Sequence, residues 1–163
     1  MGAEAHELII YTDGSSRGNP GPGGYGAILI WGPTRKELSA GYRLTTNNRM
    51  ELLGVITALE NLKKKDVPLT IYIYTDSQYI VKAIQQGWLN KWVRTNFAGG
   101  KKNKDLWMRF YNLAKDYNIT FKWVKGHADN RFNNRCDELA TQAADGKNLL
   151  IDEGYESELV NKK

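Results

Sequence analysis

The chain is organised around the stretch Ile9-Ile10-Tyr11-Thr12-Asp13-Gly14-Ser15, a short β-rich run that ends on a carboxylate and then enters glycines. A second run, Ile71-Tyr72-Ile73-Tyr74-Thr75-Asp76-Ser77, has the same form. If the two strands lie side by side and parallel, they bring Asp13 and Asp76 to one edge of a sheet. Open α/β sheets bind ligands beyond the carboxyl ends of parallel strands, so this edge is the predicted active site.

The order of the elements predicts an α/β fold with a mixed five-stranded sheet. Strands over 7–13, 25–31 and 36–44 are joined by a glycine-rich loop and a short turn, which predicts an antiparallel meander. Hydrophobic patterns predict helices over 49–64, 78–86, 105–117 and 134–144 and strands over 69–75 and 119–124. The crossover through the first helix makes the fourth strand parallel to the first, so two parallel strands follow three antiparallel ones.

Length and composition predict one ordinary globular domain. The 163 residues predict a core over about 7–145 and a frayed polar tail over 146–163. The N-terminus lacks a secretory pattern and the single cysteine, Cys136, excludes an intrachain disulfide, as is typical of the reducing cytoplasm. No apolar run is long enough to cross a membrane. The pattern indicates no sizeable apolar surface, so we expect a monomer.

The net charge of +5 favours an acidic partner, and cations are concentrated in a broken segment over 87–104. Its cations are Lys91, Arg94, Lys101, Lys102 and Lys104, with Trp88, Trp92 and Phe97 between them and Trp107 just beyond. Cations interleaved with aromatic rings form surfaces for phosphates and stacked bases. Packing against the next helix is also open as an interpretation of Trp88 and Trp107.

Two further acids are expected near Asp13 and Asp76. Glu51 lies in the first turn of the helix predicted over 49–64, and Asp137 lies in the first turn of the last helix. Four converging carboxylates cannot all stay ionised without cations, because like charges raise one another's pKa. Oxygen ligands without a Cys or His cluster favour Mg²⁺ or Mn²⁺ over zinc. A pair of such ions activates water and stabilises a leaving oxygen at phosphorus.

Each acid also has a purely structural interpretation. Asp13 can initiate a turn, and Asp76 can belong to a helix cap. Glu51 can complete a capping box with Asn48, and Asp137 can complement a helix N-terminus. The site interpretation is favoured because all four acids fall at the same end of the predicted layer, which the structural interpretations do not require.

Polar residues around the acids are candidates for substrate contacts. They are Asn19, Thr46, Asn47, Asn48 and Gln78, whose short polar groups suit sugar hydroxyls, phosphates and base edges. Loop turns and caps also explain each of them singly. His127 lies in the loop after the fifth strand, where it is either a surface residue or a proton-transfer group.

These residues resemble the motifs of the type I ribonucleases H, of the bacterial single-domain kind. The matching motifs are Thr12-Asp13-Gly14-Ser15 with Gly18-Asn19-Pro20-Gly21, Thr45-Thr46-Asn47-Asn48-Arg49-Met50-Glu51-Leu52, Thr75-Asp76-Ser77-Gln78-Tyr79, Trp123-Val124-Lys125-Gly126-His127-Ala128 and Asn134-Arg135-Cys136-Asp137-Glu138-Leu139-Ala140. They cover nearly the whole chain in order, and a chance match of all five is not credible.

The resemblance implies a fold and an activity. The fold is a five-stranded mixed sheet flanked by helices on both faces, without a separate hybrid-binding domain. The activity is endonucleolytic hydrolysis of the RNA strand of RNA–DNA hybrids, which leaves 3′-hydroxyl and 5′-phosphate ends. Alternatives on the same fold are a DNA-acting nuclease or strand transferase, and a non-catalytic binder of hybrids or double-stranded RNA.

The resemblance also implies roles for individual residues. Two Mg²⁺ ions, which Mn²⁺ can replace, would be held by Asp13, Glu51, Asp76 and Asp137, and His127 would assist proton transfer or product departure. The residues expected along the minor groove of the hybrid are Asn19, Asn47, Asn48 and Gln78, and those expected to seat a DNA phosphate are Thr46 and Arg49. A basic handle over 87–104 would grip the DNA strand through Trp88, Trp92, Lys101, Lys102 and Lys104.

Overall fold

The computed structural model describes residues 7–62, 70–125 and 130–161. Its elements are β1 (Glu7–Ser16), β2 (Gly21–Trp31), β3 (Thr34–Thr45), α1 (Asn47–Glu60), β4 (Thr70–Thr75), α2 (Gln78–Gln85), α3 (Trp88–Arg94), α4 (Lys104–Ala114), β5 (Asn118–Trp123), α5 (Arg131–Ala144) and α6 (Glu153–Asn161). The predicted strand start at 69 and the predicted catalytic His127 lie outside the described residues. Every helix within these ranges is too short or too polar to cross a lipid bilayer.

The sheet confirms the predicted fold class. Its strand order is β3-β2-β1-β4-β5, with antiparallel pairing of β2 to β1 and β3 and parallel pairing of β4 to β1 and β5. Leu8 and Ile10 of β1 pack into the main core with α1, whereas Tyr11 packs against a smaller cluster that contains Cys136 and Leu139 of α5. Because successive side chains alternate across a strand, α1 and α5 cover opposite faces.

The sequence predicted that the first strand ends at Asp13, but in the structure the strand continues beyond this residue. Its parallel ladder with β4 ends at the pair Tyr11 and Tyr74, but its antiparallel ladder with β2 continues to Ser16. The predicted loop over 14–24 is therefore mostly strand. Asp13 lies just beyond the point where β4 stops, on a part of β1 that still pairs with β2.

Glycines in these strands allow helices to approach closely. A Cβ atom at Gly14 would lie 2.5 Å from the backbone nitrogen of Glu51, and one at Gly24 would lie 2.5 Å from the carbonyl oxygen of Ala140. Both distances are far inside normal contact, so glycine is required where the backbones come this close. The first approach brings Glu51 of α1 next to the end of β1.

The first helix begins and ends earlier than predicted. Thr46 caps it, because its Oγ1 accepts the backbone N–H of Arg49 at 3.3 Å. Asn48 is therefore inside the helix, and Glu51 lies in the second turn instead of completing a capping box with Asn48. The helix ends at Glu60, four residues before the predicted end.

The last helix of the predicted core, α5, also begins earlier than predicted. Asn130 caps it by accepting the backbone N–H groups of Phe132 and Asn133 through Oδ1, both at 3.0 Å. The helix starts at Arg131, so Asp137 lies in its second turn and not in its first. The site assignment of Asp137 therefore cannot rest on a helix N-terminus.

The C-terminal segment, residues 146–161, is docked on the sheet and not frayed as predicted. Its Leu150 forms backbone hydrogen bonds with Gly41 and Arg43 of β3 at 2.8 and 2.9 Å. Asp152 is 6% exposed, and α6 follows it directly. The segment is thus part of the folded domain.

Candidate active site

Three of the four predicted carboxylates converge at the edge of the sheet. Asp13 lies past the end of the β4 ladder, Asp76 follows β4, and Glu51 lies in the second turn of α1. One carboxylate oxygen from each residue lies within 4.8 Å of those from the other two, and we call these three residues the carboxylate cluster. Asp137, half-buried on α5, is outside this group, although its charge still acts on Asp13.

Burial and the repulsion between neighbouring acids favour the protonated forms of Asp13 and Glu51. Burial, followed by the charges of Asp76 and Asp137, raises the pKa of Asp13 to about 8, although the N–H of Gly14 donates to its Oδ1 at 2.9 Å. Burial, followed by the charges of Asp13 and Asp76, raises the pKa of Glu51 well above its usual range. Buried groups with specific charged neighbours at the edge of a sheet are typical of functional sites.

The donor set fits a hard divalent cation. All three groups offer carboxylate oxygens, and Glu51 Oε1 is buried without a hydrogen-bond partner in the protein. Across the ranges that the structure describes, no Lys or Arg forms an ion pair with any of the three. A buried acceptor without a protein donor is costly, and an external cation with oxygen ligands removes that cost.

Hydrogen bonds at the start of α2 fix the backbone around Asp76. Ser77 caps α2 by accepting the N–H of Ile80 at 3.2 Å, and Thr75 Oγ1 accepts the N–H of Ser77 at 3.1 Å. The Nε1–H of Trp123 donates to the carbonyl oxygen of Asp76 at 3.3 Å. The capping role therefore belongs to Ser77, which leaves the Asp76 carboxylate for the cluster.

The single cysteine is a core residue. Cys136 is 0% exposed, and its Sγ donates to the carbonyl oxygen of Tyr11 at 3.3 Å. Burial raises the pKa of the Cys136 thiol, which disfavours the thiolate needed for nucleophilic chemistry. The Cys136 thiol is therefore unsuited to act as a nucleophile at this edge.

Four of the predicted substrate residues meet at the start of α1. Asn19, in the turn after β1, accepts the backbone N–H of Asn47 through its Oδ1 at 3.0 Å. This bond ties the turn to the helix start, beside Thr46 and the exposed Asn48. Gln78 is exposed at the first residue of α2, two positions after Asp76. The polar groups are therefore close in the chain to the acids: some lie on the helix that carries Glu51, and the others follow the strands that lead to Asp13 and Asp76.

The handle over 87–104 consists of α3 and the turns after it. Trp88 is 38% exposed, and the ring of Trp92 contacts those of Trp88 and Trp107 with centroids 6.3 and 5.8 Å apart. Lys101 Nζ lies 5.9 Å from the centroid of the Trp92 ring. Lys101, Lys102 and Lys104 are exposed, as is Lys91 of α3. Trp107 is 0% exposed, so core packing is the correct interpretation for that ring only.

Arg49 departs from its predicted role. Its side chain is 1% exposed, so its guanidinium is not available to seat a DNA phosphate. It forms ion pairs with Asp105 at 2.6 Å and with Asp152 at 2.8 Å. Burial alone would lower the pKa of Arg49, but hydrogen bonds to these two carboxylates outweigh it and raise the pKa. No local sequence pattern indicates the ion pair between Arg49 and Asp152, because Asp152 lies 103 positions away in the chain.

The structure also adds residues that sequence reasoning missed. A cleft of about 360 Å³ is lined by Asn19, Thr46 and Asn48 and also by Asn103 and Tyr155. Asn103 adopts a left-handed φ of 65° just before α4, a conformation that asparagine tolerates better than most residues. That tolerance is the one sequence signal that could have marked the position.

Known proteins similar to this chain identify its family. A family model described as RNase H matches residues 5–145. The ribonuclease H of Desulforamulus reducens is 51% identical over 150 residues, which cover 90% of this chain and 92% of that protein. The chain therefore belongs to the ribonuclease H family, as an enzyme of the bacterial single-domain kind that its motifs resemble.

Solved structures with the same fold agree with this assignment. The crystal structure of LC9-RNase H1, a type 1 RNase H with the type 2 active-site motif, matches with a TM-score of 0.78 at 29% identity and covers 94% of this chain and 80% of that one. The structure of LC11-RNase H1 in complex with an RNA/DNA hybrid matches with a TM-score of 0.66 at 28% identity and covers 85% and 96%. Both matches confirm the predicted fold.

Proposed function

We propose that this chain is an endoribonuclease that hydrolyses the RNA strand of RNA–DNA hybrids with two divalent metal ions. The observation that carries the proposal is the convergence of three carboxylates from β1, α1 and the end of β4 within 4.8 Å. The similarity to LC11-RNase H1, whose crystal structure contains an RNA/DNA hybrid, supports the choice of substrate. The products carry 3′-hydroxyl and 5′-phosphate ends.

The ions are Mg²⁺ by preference, with Mn²⁺ as a substitute. The carboxylate cluster would hold them, together with Asp137 of α5. Bound ions of this kind supply an activated water and stabilise the leaving oxygen at phosphorus. The chain itself holds Asp13, Glu51 and Asp76 close together although burial and repulsion raise the pKa of Asp13. Cation binding offsets both effects and keeps the ligands ionised.

Recognition of the two strands is divided between two surfaces. Next to the cluster, the amides of Asn19, Asn47, Asn48 and Gln78 suit the 2′-hydroxyls and base edges that a shallow minor groove displays. Thr46 lies beside them and is the remaining candidate for a DNA phosphate. The handle offers Trp88 and Trp92 as stacking surfaces and Lys101, Lys102 and Lys104 as phosphate-binding charges.

His127 keeps its proposed role in proton transfer or product departure. We expect His127→Ala to slow turnover by roughly 10²-fold, because general acid–base groups contribute on that scale. The variant should retain measurable activity, since the metal ligands remain. A turnover rate equal to that of the wild type would remove His127 from the mechanism.

We also propose that the enzyme is a cytoplasmic monomer. Its one cysteine is buried, in keeping with a reducing compartment.

The exposed apolar side chains of the C-terminal segment are Leu150, Ile151, Leu159 and Val160, more apolar surface than the sequence pattern indicated. Light scattering at micromolar concentration should give the mass of one chain, 18.5 kDa; a dimer mass would contradict the proposal.

A strand-labelled cleavage assay tests the proposed reaction. An RNA–DNA hybrid, duplex RNA and duplex DNA are each labelled on one strand and, in a second preparation, on the other, and are incubated with Mg²⁺ or with EDTA. We expect only the RNA strand of the hybrid to be cut, and only with metal. Asp13→Asn, purified in parallel, controls for a contaminating nuclease.

Each other outcome of this assay would favour a different function or mechanism. Cleavage of DNA would favour a DNA-acting nuclease, and hybrid binding without cleavage would favour a non-catalytic binder. Cleavage that survives EDTA would contradict the metal-dependent mechanism.

A further inference from the structure

The C-terminal segment is tied to the middle of the molecule through one buried arginine. Asp152 accepts hydrogen bonds from Nε and Nη2 of Arg49 at 2.8 and 2.9 Å. It also accepts the hydroxyl hydrogen of Thr45 at 2.7 Å and the backbone N–H of Tyr155 at 3.3 Å. A buried carboxylate with four donors, two of them charged, holds the start of α6 at a fixed point.

The same arginine reaches the start of α4, where Asn103 and Asp105 form what we call the handle root. Its Nη1 donates to Asp105 Oδ1 at 2.8 Å and to Asn103 Oδ1 at 3.3 Å, and its Nη2 donates to Asp105 Oδ2 at 2.6 Å. Asn103 immediately precedes α4, and Asp105 lies in the first turn of that helix. The C-terminal segment and the handle root therefore share one cation.

From the handle root the hydrogen bonds continue to α2. Asn103 Nδ2 donates to the hydroxyl of Tyr79 at 3.1 Å, and Trp107 Nε1–H donates to the same oxygen at 2.8 Å. Tyr79 lies three positions after Asp76, and Arg49 lies two positions before Glu51. The network thus joins the handle root to the two helices whose starts adjoin the carboxylate cluster.

The segment also borders the surface proposed for the hybrid. The cleft of about 360 Å³ has Asn19, Thr46 and Asn48 among its lining residues, and α6 contributes Tyr155 and Leu159. Lys102 of the handle lines it as well. The helix α6 therefore supplies one wall of a cleft whose other walls include residues proposed to contact substrate.

We propose that the C-terminal segment is a positioning element for hybrid binding: docked on Arg49 through Asp152, it fixes the handle root relative to the carboxylate cluster. This inference rests on the proposed function, because a hybrid must touch the handle and the cluster at the same time. A loosened root lowers the probability of simultaneous contact and weakens binding. It leaves the chemistry at the cluster unchanged, since Asp152 and Asn103 are positioning residues.

Steady-state kinetics of the full-length Asp152→Asn variant test the proposal. The substitution keeps the side-chain shape and removes the charge that pairs with Arg49. We expect KM for the hybrid to rise about fivefold, the scale of a substitution that changes coupling between sites, with kcat within about twofold of the wild type. A role in stability alone would lower Tm and leave KM unchanged at temperatures well below Tm.

Glu60→Gln is the matched control. Its carboxylate also joins α1 to α4, through Arg109 at 2.9 Å, but the pair is exposed and lies at the far end of α1. We expect KM to equal that of the wild type. An equal rise of KM in both variants, or an unchanged KM in Asp152→Asn, would overturn the proposal.

A second variant covers the case in which Asp152→Asn does not fold. Tyr79→Phe keeps the ring and removes the hydroxyl that links Asn103 to α2. A raised KM with preserved kcat is expected again, and an unchanged KM would overturn the proposal. Absence of hybrid cleavage by the wild-type enzyme would overturn the proposed function and this inference together, whereas an unchanged KM would overturn this inference alone.

Discussion

Arg49 and Glu51 lie two positions apart in α1, and both are buried. Arg49 has neighbours of opposite charge, whereas Glu51 has neighbours of its own charge. All three guanidinium nitrogens of Arg49 donate to side chains of the protein, two of them to Asp152 and two to Asp105. Glu51 has Asp13 and Asp76 as neighbours, and its Oε1 has no hydrogen-bond partner in the protein. The difference separates a charge that holds the fold together from a charge that requires an external cation.

The pKa values of the acids next to Arg49 and Glu51 are shifted in opposite directions. Burial raises the pKa of Asp105, but the hydrogen bond and charge of Arg49 outweigh it and lower that pKa. At Asp13 burial acts together with neighbouring acids, and the pKa rises to about 8. Asp105, which is paired with Arg49, therefore stays ionised at neutral pH, whereas Asp13 is ionised only when metal or high pH removes its proton.

The largest expected effect comes from Asp13→Asn, which removes one acid of the carboxylate cluster. We expect turnover of the hybrid to fall by at least about 10³-fold, because the variant loses a charged group that stabilises the reacting centre. Folding should be retained, since the substitution removes no core volume. Single-turnover cleavage with Mg²⁺ measures the loss, and circular dichroism confirms the fold.

Asp145→Asn is the control for this first prediction. It removes an exposed carboxylate that pairs with Arg17 at 2.7 Å and lies outside the cluster. Its turnover should match the wild type. Substantial activity in Asp13→Asn would show that this acid is not a metal ligand.

The second prediction concerns the paired side of the comparison. We expect Arg49→Met to lower the free energy of unfolding by about 3–5 kcal/mol, because two carboxylates lose their common partner. Arg109→Met removes a cation from a pair whose side chains are 47% and 42% exposed, and we expect a loss below about 1 kcal/mol. Urea denaturation of both variants measures the difference, and equal losses would contradict the structural role of Arg49.

The third prediction concerns the exposed charges of the handle. Replacing Lys101, Lys102 and Lys104 with Gln should weaken hybrid binding about tenfold at low salt and reduce the slope of log K against log salt by about 2 to 3. Fluorescence anisotropy at several salt concentrations, with Asp13→Asn as the inactive background, measures this. Replacing Lys36, Lys115 and Lys122 with Gln, three exposed lysines outside the handle, controls for net charge. Equal slopes in both triple variants would show that the handle does not bind phosphates.

The fourth prediction is a pH dependence of stability without metal. Asp13 holds a proton in the folded state up to pH about 8, whereas its ordinary value is 3.8. The folded state therefore binds more protons between these values, so stability falls as pH rises through this window. Between pH 5 and 8 the wild type should lose about 1 kcal/mol or more relative to Asp13→Asn. Calorimetry in EDTA measures both; parallel curves would contradict the raised pKa.

Local patterns were sufficient for the sheet and for the position of three acids. The paired runs that end in Thr12-Asp13 and Thr75-Asp76 predicted two parallel strands, which the ladder between β1 and β4 confirms. Glu51 was placed correctly near them, although the capping residue is Thr46 and not Asn48. Adjacent polar residues such as these differ little in capping preference, so packing decides which one caps.

Long-range contacts account for what the sequence did not predict. The tail was expected to fray because its composition is polar, but Asp152 is held by Arg49, 103 positions earlier. The strand through Asp13 was expected to end there, but pairing with β2 extends it to Ser16. Asp137 was expected at a helix start, but Asn130 caps the helix earlier. The first two outcomes depend on a partner element that periodicity alone does not identify, whereas the third depends on which nearby polar residue caps the helix.

The most direct test of the central claim is the stabilisation of the protein by Mg²⁺ at pH 8. A cation that binds only the folded cluster raises Tm with increasing concentration. We predict that calorimetry shows this rise for the wild type and for Asp145→Asn, and that Asp13→Asn shows none. An equal rise of Tm in Asp13→Asn would contradict the claim that the unpaired carboxylates of this edge form the metal site.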